Sequence, residues 1–356
     1  MTTIKQVALE AGVSKSTVSR FIAQNGYVSD EAREKIERAI KKLNFRPNLS
    51  AQSLKTKKNQ LVGLLLPDIS NPFFPMLAKG AEEFLKEKGY RVMLGNIGEK
   101  NQSEQDYLKV LIQSNAAGII STHDFKEDFP DLDIPTVIVD RVGHKSNYGV
   151  FSDNESGGRL AAKVIVTAGA KKVAVVSGPL NATNINNRFK ASIAYLKEKQ
   201  VDFKAFYSQS YDFEEIQKEA REVLANEENF DSIIAPSDIH AMAYIHEIHR
   251  LNKKIPEDIQ IIGYDDIQMS QFIYPALSTI HQSAYQMGLE AAQLIYKIAT
   301  DQAIEKSKIE LPVHYVARET IRQKRNHICP KSQTKLTILT QSWNNTIHNC
   351  KDTSHR

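Results

Sequence analysis

Thr3-Ile4-Lys5-Gln6-Val7-Ala8-Leu9-Glu10-Ala11-Gly12-Val13-Ser14-Lys15-Ser16-Thr17-Val18-Ser19-Arg20 reads as a helix, a glycine turn and the start of a second helix. Ile4, Val7, Ala8 and Ala11 recur at helical spacing and form one apolar face. Thr3 with Gln6 three residues later makes a capping box. Gly12 supplies the tight turn, Val13 fills the angle between the helices and Ser14 caps the second. That second helix turns Val18 and Phe21 or Ile22 inward, leaving Lys15, Ser16, Thr17, Ser19 and Arg20 on its other side. A third helix fits Ser29 to about Leu43, with Asp30 and Glu31 at its positive end and Lys41 and Lys42 at its negative end. Asn44 to Asn48 ends it, because Pro47 biases Arg46 out of the helical region.

Charge separates this head from the rest. Residues 1–60 hold twelve Lys and Arg against five Asp and Glu, whereas the whole chain is only +4, so the remainder is net negative. Cations and small hydroxyls on one helix, braced by a second helix within a basic domain, predict a major-groove reader whose positive charge neutralises phosphate. The plainer alternative is a small helical bundle with a solvated basic face. The stretch Leu49 to Gln60 is polar and basic, with Leu49 and Leu54 its only large apolar residues. As a linker between a DNA head and a body, it is expected to form a marginal helix that orders on DNA, with Leu54 protruding beside Lys55.

A chain of 356 residues with 41% hydrophobic and 25% charged content suits two or three globular domains. The start lacks the apolar core of a secretory signal, and no apolar run approaches the ~20 residues of a membrane span. Both cysteines, Cys329 and Cys350, fall near the end, so the body has neither a disulfide framework nor a thiol nucleophile. The reading is cytoplasmic.

From Leu61 strands alternate with helices, which predicts an α/β body with parallel sheets. Strands are expected at Leu61–Leu66, Arg91–Leu94, Gly118–Ser121 and Thr136–Val139, with helices at Phe74–Lys88 and Glu104–Ser114. The second half repeats the alternation. Helices fit Glu155–Ala168, Ile185–Glu198, Phe213–Leu224 and Ile239–Leu251; strands fit Val173–Val176, Ser232–Ala235 and Ile259–Gly263. A helix at Tyr285–Ala299 and one strand near Glu310–Val316 complete the pattern. Two successive units predict two lobes with a cleft at the carboxyl ends of their strands. The expected division is residues 1–47 head, 48–60 hinge or linker, 61–325 two-lobed body and 326–356 tail. The tail, rich in Asn, Thr, Ser and Lys and holding Trp343, is expected to be disordered.

Polar residues gather just after the strands: Asp68 to Phe74, Asp140-Arg141, Ser237-Asp238, Tyr264-Asp265-Asp266 and Gln282, with Arg188 on a nearby helix. Carboxylates, guanidinium groups and amides pair with vicinal hydroxyls, and aromatic faces stack on the C–H side of a sugar ring. This set suits a neutral polyol. Each member has a plainer reading: Asp238 as a helix cap, Arg141 as the ion-pair partner of Asp140, and Phe73 or Phe74 as helix core. Nucleotide-binding and hydrolase glycine motifs are missing. His246-Glu247-Ile248-His249 is one residue short of H-E-x-x-H, and His327-Ile328-Cys329 and His348-Asn349-Cys350 sit in the tail. Neither a metal nor another cofactor is expected.

With both ends in view, the chain resembles the LacI/GalR repressor family over residues 2–324. The motifs are Ile4-Lys5-Gln6-Val7-Ala8, Ala11-Gly12-Val13-Ser14, Thr17-Val18-Ser19-Arg20 and a hinge from Asn48 through Leu54. Within the family it is most similar to the ribose-operon branch of Gram-positive bacteria, through Gly63 to Pro75 and Glu257 to Ile267. The resemblance implies a periplasmic-binding-protein-like body and a homodimer on pseudo-palindromic operator DNA. The implied DNA contacts come from Thr3, Ser14, Lys15, Ser16, Thr17, Ser19, Arg20, Asn48, Leu54 and Lys55, with Leu54 as a minor-groove wedge. It implies an effector set of Phe73, Phe74, Asp140, Arg141, Arg188, Asp238, Asp265 and Gln282, with Asn71 and Phe213 added. Ser283 departs from the proline usual after Gln282, and the tail beyond Arg325 lies outside the resemblance. The expected activity is repression of a sugar-use operon relieved by ribose, with a phosphocarrier protein as a further candidate partner. The alternatives are sucrose, fructose or a purine as effector, a transport-class sugar-binding protein, or an enzyme using the cleft.

Overall fold

A computed structural model describes residues 3–23, 26–45, 59–98, 102–125, 129, 132–142, 146–179, 183–225 and 229–323. The hinge residues Asn48, Leu54 and Lys55, and the tail with Cys329, Trp343 and Cys350, lie outside the described residues. The head consists of α1 (Ile4–Ala11), α2 (Lys15–Ala23) and α3 (Asp30–Lys42). Both hydrogen bonds of the Thr3–Gln6 capping box are present. Gly12 ends α1 at φ +65°, a conformation that costs an L side chain roughly 1–2 kcal/mol. Ser14 Oγ accepts from the Thr17 amide at 3.0 Å, and Ser29 Oγ caps α3 from Ala32. Val7, Ala8, Ala11, Val18, Ile36, Ala39 and Phe45 form the core of the head, with Phe21 and Ile22 packed at its edge.

The body holds two sheets. The first contains β1 (Asn59–Leu66), β2 (Arg91–Asn96), β3 (Ala116–Ser121), β4 (Thr136–Val139), β5 (Gly149–Ser152) and β11 (Lys308–Leu311), in the order β11-β5-β4-β3-β1-β2 and parallel throughout. The second contains β6 (Lys172–Ser177), β7 (Asp202–Tyr207), β8 (Ser232–Ile234), β9 (Gln260–Asp265), β10 (Thr279–His281) and β12 (His314–Val316), in the order β12-β10-β9-β8-β6-β7. Only β12 is antiparallel. Both sheets reverse their strand order beside the first strand, between β1 and β3 and between β6 and β8. Ligands of open α/β sheets bind beyond strand ends at such switch points.

Helices cover both faces of each sheet. On the first, α4 (Phe73–Glu87) and α10 (Ala284–Ala299) bury Leu77, Ala81, Met287, Ala291 and Ile295, while α5 (Gln102–Gln113) buries Leu108 and Leu111 on the other face. On the second, α6 (Asn154–Thr167) and α7 (Thr183–Glu198) cover one face, and α8 (Phe213–Ala225) and α9 (Asp238–Arg250) the other. No helix among the described residues is long and apolar enough to cross a membrane.

Three sequence expectations change. β1 begins at Asn59, inside the stretch expected to be linker. β5, β7 and β10 were not anticipated: β5 and β10 are only four and three residues long, and β7 is an edge strand whose Asp202, Lys204 and Tyr207 are exposed. The single strand expected near Glu310–Val316 is two strands in different sheets, β11 and β12, separated by Pro312 and Val313. Pro312 has no N–H to continue a ladder, so the chain leaves one sheet there and joins the other. The chain therefore crosses between lobes three times: after Ser152, after His281 and after Leu311.

Candidate functional site

On the head, Thr3, Ser14, Lys15, Ser16 and Arg20 are exposed, and Thr17 and Ser19 half-buried. Ser14 Oγ lies 2.7 Å from both Ser16 Oγ and Thr17 Oγ1, so the start of α2 carries a linked run of hydroxyls. On α3, Lys35, Arg38 and Lys42 pair with Glu31, Glu34 and Glu10, whereas Arg33 and Lys41 form no ion pair with a described residue. Lys15 and Arg20 of α2 form no ion pair with any described residue, which leaves their charge available for phosphate.

In the body, Asn71, Phe73, Phe74, Asp140, Arg141, Arg188, Phe213, Asp265 and Gln282 line one cavity of about 270 Å³ between the lobes. The first lobe contributes the start of α4, where Phe73 and Phe74 meet edge to face at 5.3 Å, and the end of β4 with Asp140 and Arg141. The two rings are also core residues of that lobe, so the plainer reading of them holds beside the site reading. Asn71 Oδ1 accepts from the Phe73 amide at 3.1 Å and fixes the turn before α4. Phe213, half-exposed at the start of α8, faces the cavity from the second lobe. The Arg141 guanidinium sits 5.3 Å from the centre of the Tyr211 ring.

Asp140 and Asp265 end their strands with positive φ, +62° and +115°. Asp tolerates the left-handed region better than most residues, and such backbone, costing roughly 1–3 kcal/mol, concentrates where side chains must be aimed at a ligand. Arg188 is the hub on the other side. Its guanidinium lies 3.7 Å from the centre of the Tyr264 ring, and it is 6% exposed. Arg188 Nε donates to Asn154 Oδ1 at 2.8 Å and its Nη1 to the Pro236 carbonyl at 2.9 Å, with Asp265 Oδ1 3.8 Å from Nη1. Burial drives the Asp265 carboxyl well above the usual carboxylate range; Arg188 opposes this, while Asp238 and Asp140 add to it. Gln282 Nε2 donates to Asp265 Oδ1 at 2.6 Å, and Gln282 Oε1 is buried with no hydrogen-bond partner among the described residues.

Asp238 is not brought to the cavity wall. It is fully buried and turned into the second lobe, where it accepts from the Ile267 amide at 2.9 Å, from Ser270 Oγ at 2.6 Å and from Thr279 Oγ1. The cap of α9 is its neighbour Ser237. Burial raises the Asp238 carboxyl to about 6, against the pull of those three donors. Close approach of the backbone makes room: a Cβ on Gly263 would lie 2.3 Å from Asp238 Oδ1.

The structure adds wall residues that the sequence reading missed, among them Asn96, Tyr211, Pro236 and His240. Asn96 ends β2, which had been expected to stop at Leu94, and Tyr211 follows the unrecognised β7. The rule of reading the residues after strands finds both once the strands are drawn to their full length. His240 carries no such signal, being the third residue of α9. Burial lowers its imidazole to about 3, so the ring is neutral.

Among the described residues no group of three or more His, Cys, Asp or Glu is placed to hold a metal ion. In His246-Glu247-Ile248-His249 the Glu247 carboxylate is taken by Arg221 at 3.0 Å and Arg250 at 2.6 Å, an ion-pair cluster of α8 and α9. The cavity thus offers carboxylate acceptors, guanidinium and amide donors and two apolar rings, arranged for an uncharged, hydroxyl-rich ligand.

Comparison with known proteins agrees with both ends. The profile of bacterial regulatory proteins of the lacI family matches residues 3–48, and that of the periplasmic binding protein-like domain matches residues 162–321. The ribose operon repressor of Bacillus subtilis is 42% identical over 325 residues, covering 91% of this chain and 99% of that protein. A LacI family transcriptional regulator from Enterococcus faecalis V583, solved with bound ribose, is 27% identical with a TM-score of 0.65, covering 73% of this chain and 98% of that one. The Lac repressor dimer bound to operator has the same fold, with a TM-score of 0.80 at 24% identity over 90% of this chain and 98% of that chain. An N-terminal helix-turn-helix followed by a two-lobed α/β body, and this extent of identity, establish that the chain belongs to the LacI family of bacterial regulatory proteins.

Proposed function

We propose that this protein is a homodimeric cytoplasmic repressor of a sugar-utilisation operon, released from its operator by D-ribose, and not an enzyme. The observation that carries the reading is the Arg188–Asp265 pair in the wall of the cavity between the lobes, in a chain 42% identical to a ribose operon repressor. At about 270 Å³ the cavity lies just below the roughly 300–1,000 Å³ range of ligand sites, which favours a monosaccharide over sucrose. Buried carboxylates favour a polyol over a purine.

The geometry supplies a route from sugar to lobe movement. Arg188 bonds Asn154, on the first crossover, and Asp265 accepts from Gln282, on the second. A ligand engaging that pair acts directly on the two segments about which the lobes turn. For the operator to be released, the sugar must bind the low-affinity state better, by a coupling of roughly 1–3 kcal/mol. In this reading α2 enters the major groove of each half-site, and the hinge inserts Leu54 into the minor groove beside Asn48 and Lys55. The turn after β9 exposes Met269, Phe272 and Tyr274, an apolar surface suited to a second copy of the chain.

Calorimetry tests the effector. D-Ribose is expected to bind, and Arg141→Ala to weaken binding by at least tenfold; heat with sucrose or fructose and none with ribose overturns the assignment. Gel shifts test the output. Operator binding should weaken steeply with salt, by a log–log slope of about −0.9 per phosphate contact, and ribose should release the complex. Adding a phosphocarrier protein to the same gel shift tests it as a co-effector.

A further inference from the structure

His240 lies on the cavity wall and is fully buried. Its Nδ1 is 2.8 Å from Ser237 Oγ. That oxygen also accepts the His240 backbone N–H as the cap of α9, at 3.3 Å, and its own hydrogen is free to donate to Nδ1. With that hydroxyl hydrogen assigned to Nδ1, the ring proton falls on Nε2; in the opposite tautomer Nδ1–H would donate to the hydroxyl. Nε2 is buried with no hydrogen-bond partner among the described residues. Tyr211 packs at right angles to the imidazole with ring centres 6.0 Å apart, so the ring is held between Ser237 and Tyr211. A buried donor without an acceptor costs roughly 1–3 kcal/mol, and its presence in a ligand cavity points to an acceptor that arrives with the ligand.

We infer that His240 is a specificity-determining contact of the effector site, donating one hydrogen bond from Nε2–H to an oxygen of the bound sugar. The inference rests on the proposed sugar-binding role of the cavity. Its chemical content is a division of labour. Asp140 and Asp265 accept from sugar hydroxyls, and Arg141 and Arg188 donate as cations. A neutral imidazole suits a hydroxyl or ring oxygen whose own hydrogen, if any, is already given to a carboxylate. A site built to hydrogen-bond one oxygen rejects the analogue that lacks it, because the buried donor is left unpaired. Protonation of the ring does not compete near neutral pH, since burial keeps the imidazole uncharged.

The test uses the full chain, calorimetry with D-ribose and its 2-, 3- and 5-deoxy analogues, and thermal unfolding without sugar. His240→Leu is expected to weaken ribose binding by at least tenfold while leaving the thermal midpoint unchanged or raised, since a buried unpaired donor is removed. One deoxy analogue should lose affinity in the wild type but lose nothing further in the variant, naming the oxygen contacted. In ¹⁵N spectra Nε2 of His240 should be the protonated nitrogen. Ribose binding within threefold of wild type, or a uniform loss for all analogues together with a fall in thermal midpoint, overturns the inference. If the wild type ignores ribose but binds another sugar of a pentose and hexose panel, the ribose assignment falls and His240→Leu is scored against that sugar. Silence of the wild type toward the whole panel overturns both.

Discussion

Arg188→Met abolishes effector binding and lowers the unfolding free energy by about 3–5 kcal/mol, the loss expected when one partner of a buried ion pair is removed. Both consequences follow from one position. The guanidinium of Arg188 stacks on Tyr264, holds Asn154 and the Pro236 carbonyl, and faces Asp265. Methionine replaces the aliphatic stem and nothing else. Asp265 would then keep the Gln282 amide as its donor while still beside Asp140 and Asp238, and its carboxyl would be driven higher still. The sugar loses its cationic donor, and Asp265 loses the neighbouring charge that opposes its protonation. Arg188→Lys should rescue little, because a single ammonium can neither cover the Tyr264 ring nor bond Asn154 and Pro236 together. Urea unfolding and calorimetry read the two effects separately. Ribose binding by Arg188→Met within threefold of wild type would show that the pair is structural only.

Asp238→Asn produces a stability deficit that shrinks as pH rises. The folded carboxyl titrates at about 6 because it is buried, whereas the unfolded one titrates near 3.9. Between those values the native state holds a proton that the unfolded state has released, so wild-type stability from this group is complete below about pH 4 and is lost as pH rises through about 6. Asparagine does not titrate. The gap between wild type and variant should therefore narrow between about pH 4.5 and 7.5, by an amount on the order of 2 kcal/mol. Some deficit remains throughout, because the amide points N–H groups toward one of the donors on Ile267, Ser270 or Thr279. Urea unfolding across that pH range is the measurement, and a gap that widens with pH contradicts a carboxyl raised by burial. Two of the three bonds, from Ile267 and Ser270, join the start of α9 to the turn bearing Met269, Phe272 and Tyr274, and the third joins it to β10, so the variant should also loosen that exposed apolar surface.

The head was legible almost to the residue. Thr3, Gln6, Gly12, Ser14 and Ser29 act through bonds to residues within a few positions of themselves, and local chemistry of that kind is written in local sequence. The strands with continuous apolar runs were legible for a related reason: burial on both faces leaves no polar residue in β1, β3 or β4 apart from their ends. β7 escaped because an edge strand may be half polar, and with it went Tyr211.

What the sequence by itself determined was the helical head, the α/β class of the body and the kinds of side chain that line the cavity, because periodicity, caps and composition are short-range properties. What only the tertiary structure decided was direction. Asp238 follows its strand just as Asp140 follows β4, yet it turns into the lobe because Thr279 and the turn at Ile267 to Ser270, far along the chain, offer it three donors. His240, with no motif around it, faces the cavity because Ser237 caps α9 and the His240 ring packs against Tyr211. The split of Lys308–Val316 between two sheets was likewise decided by partners distant in sequence, β5 and β10. Side-chain direction at a strand end depends on which partners the fold brings near, and no local pattern encodes those partners.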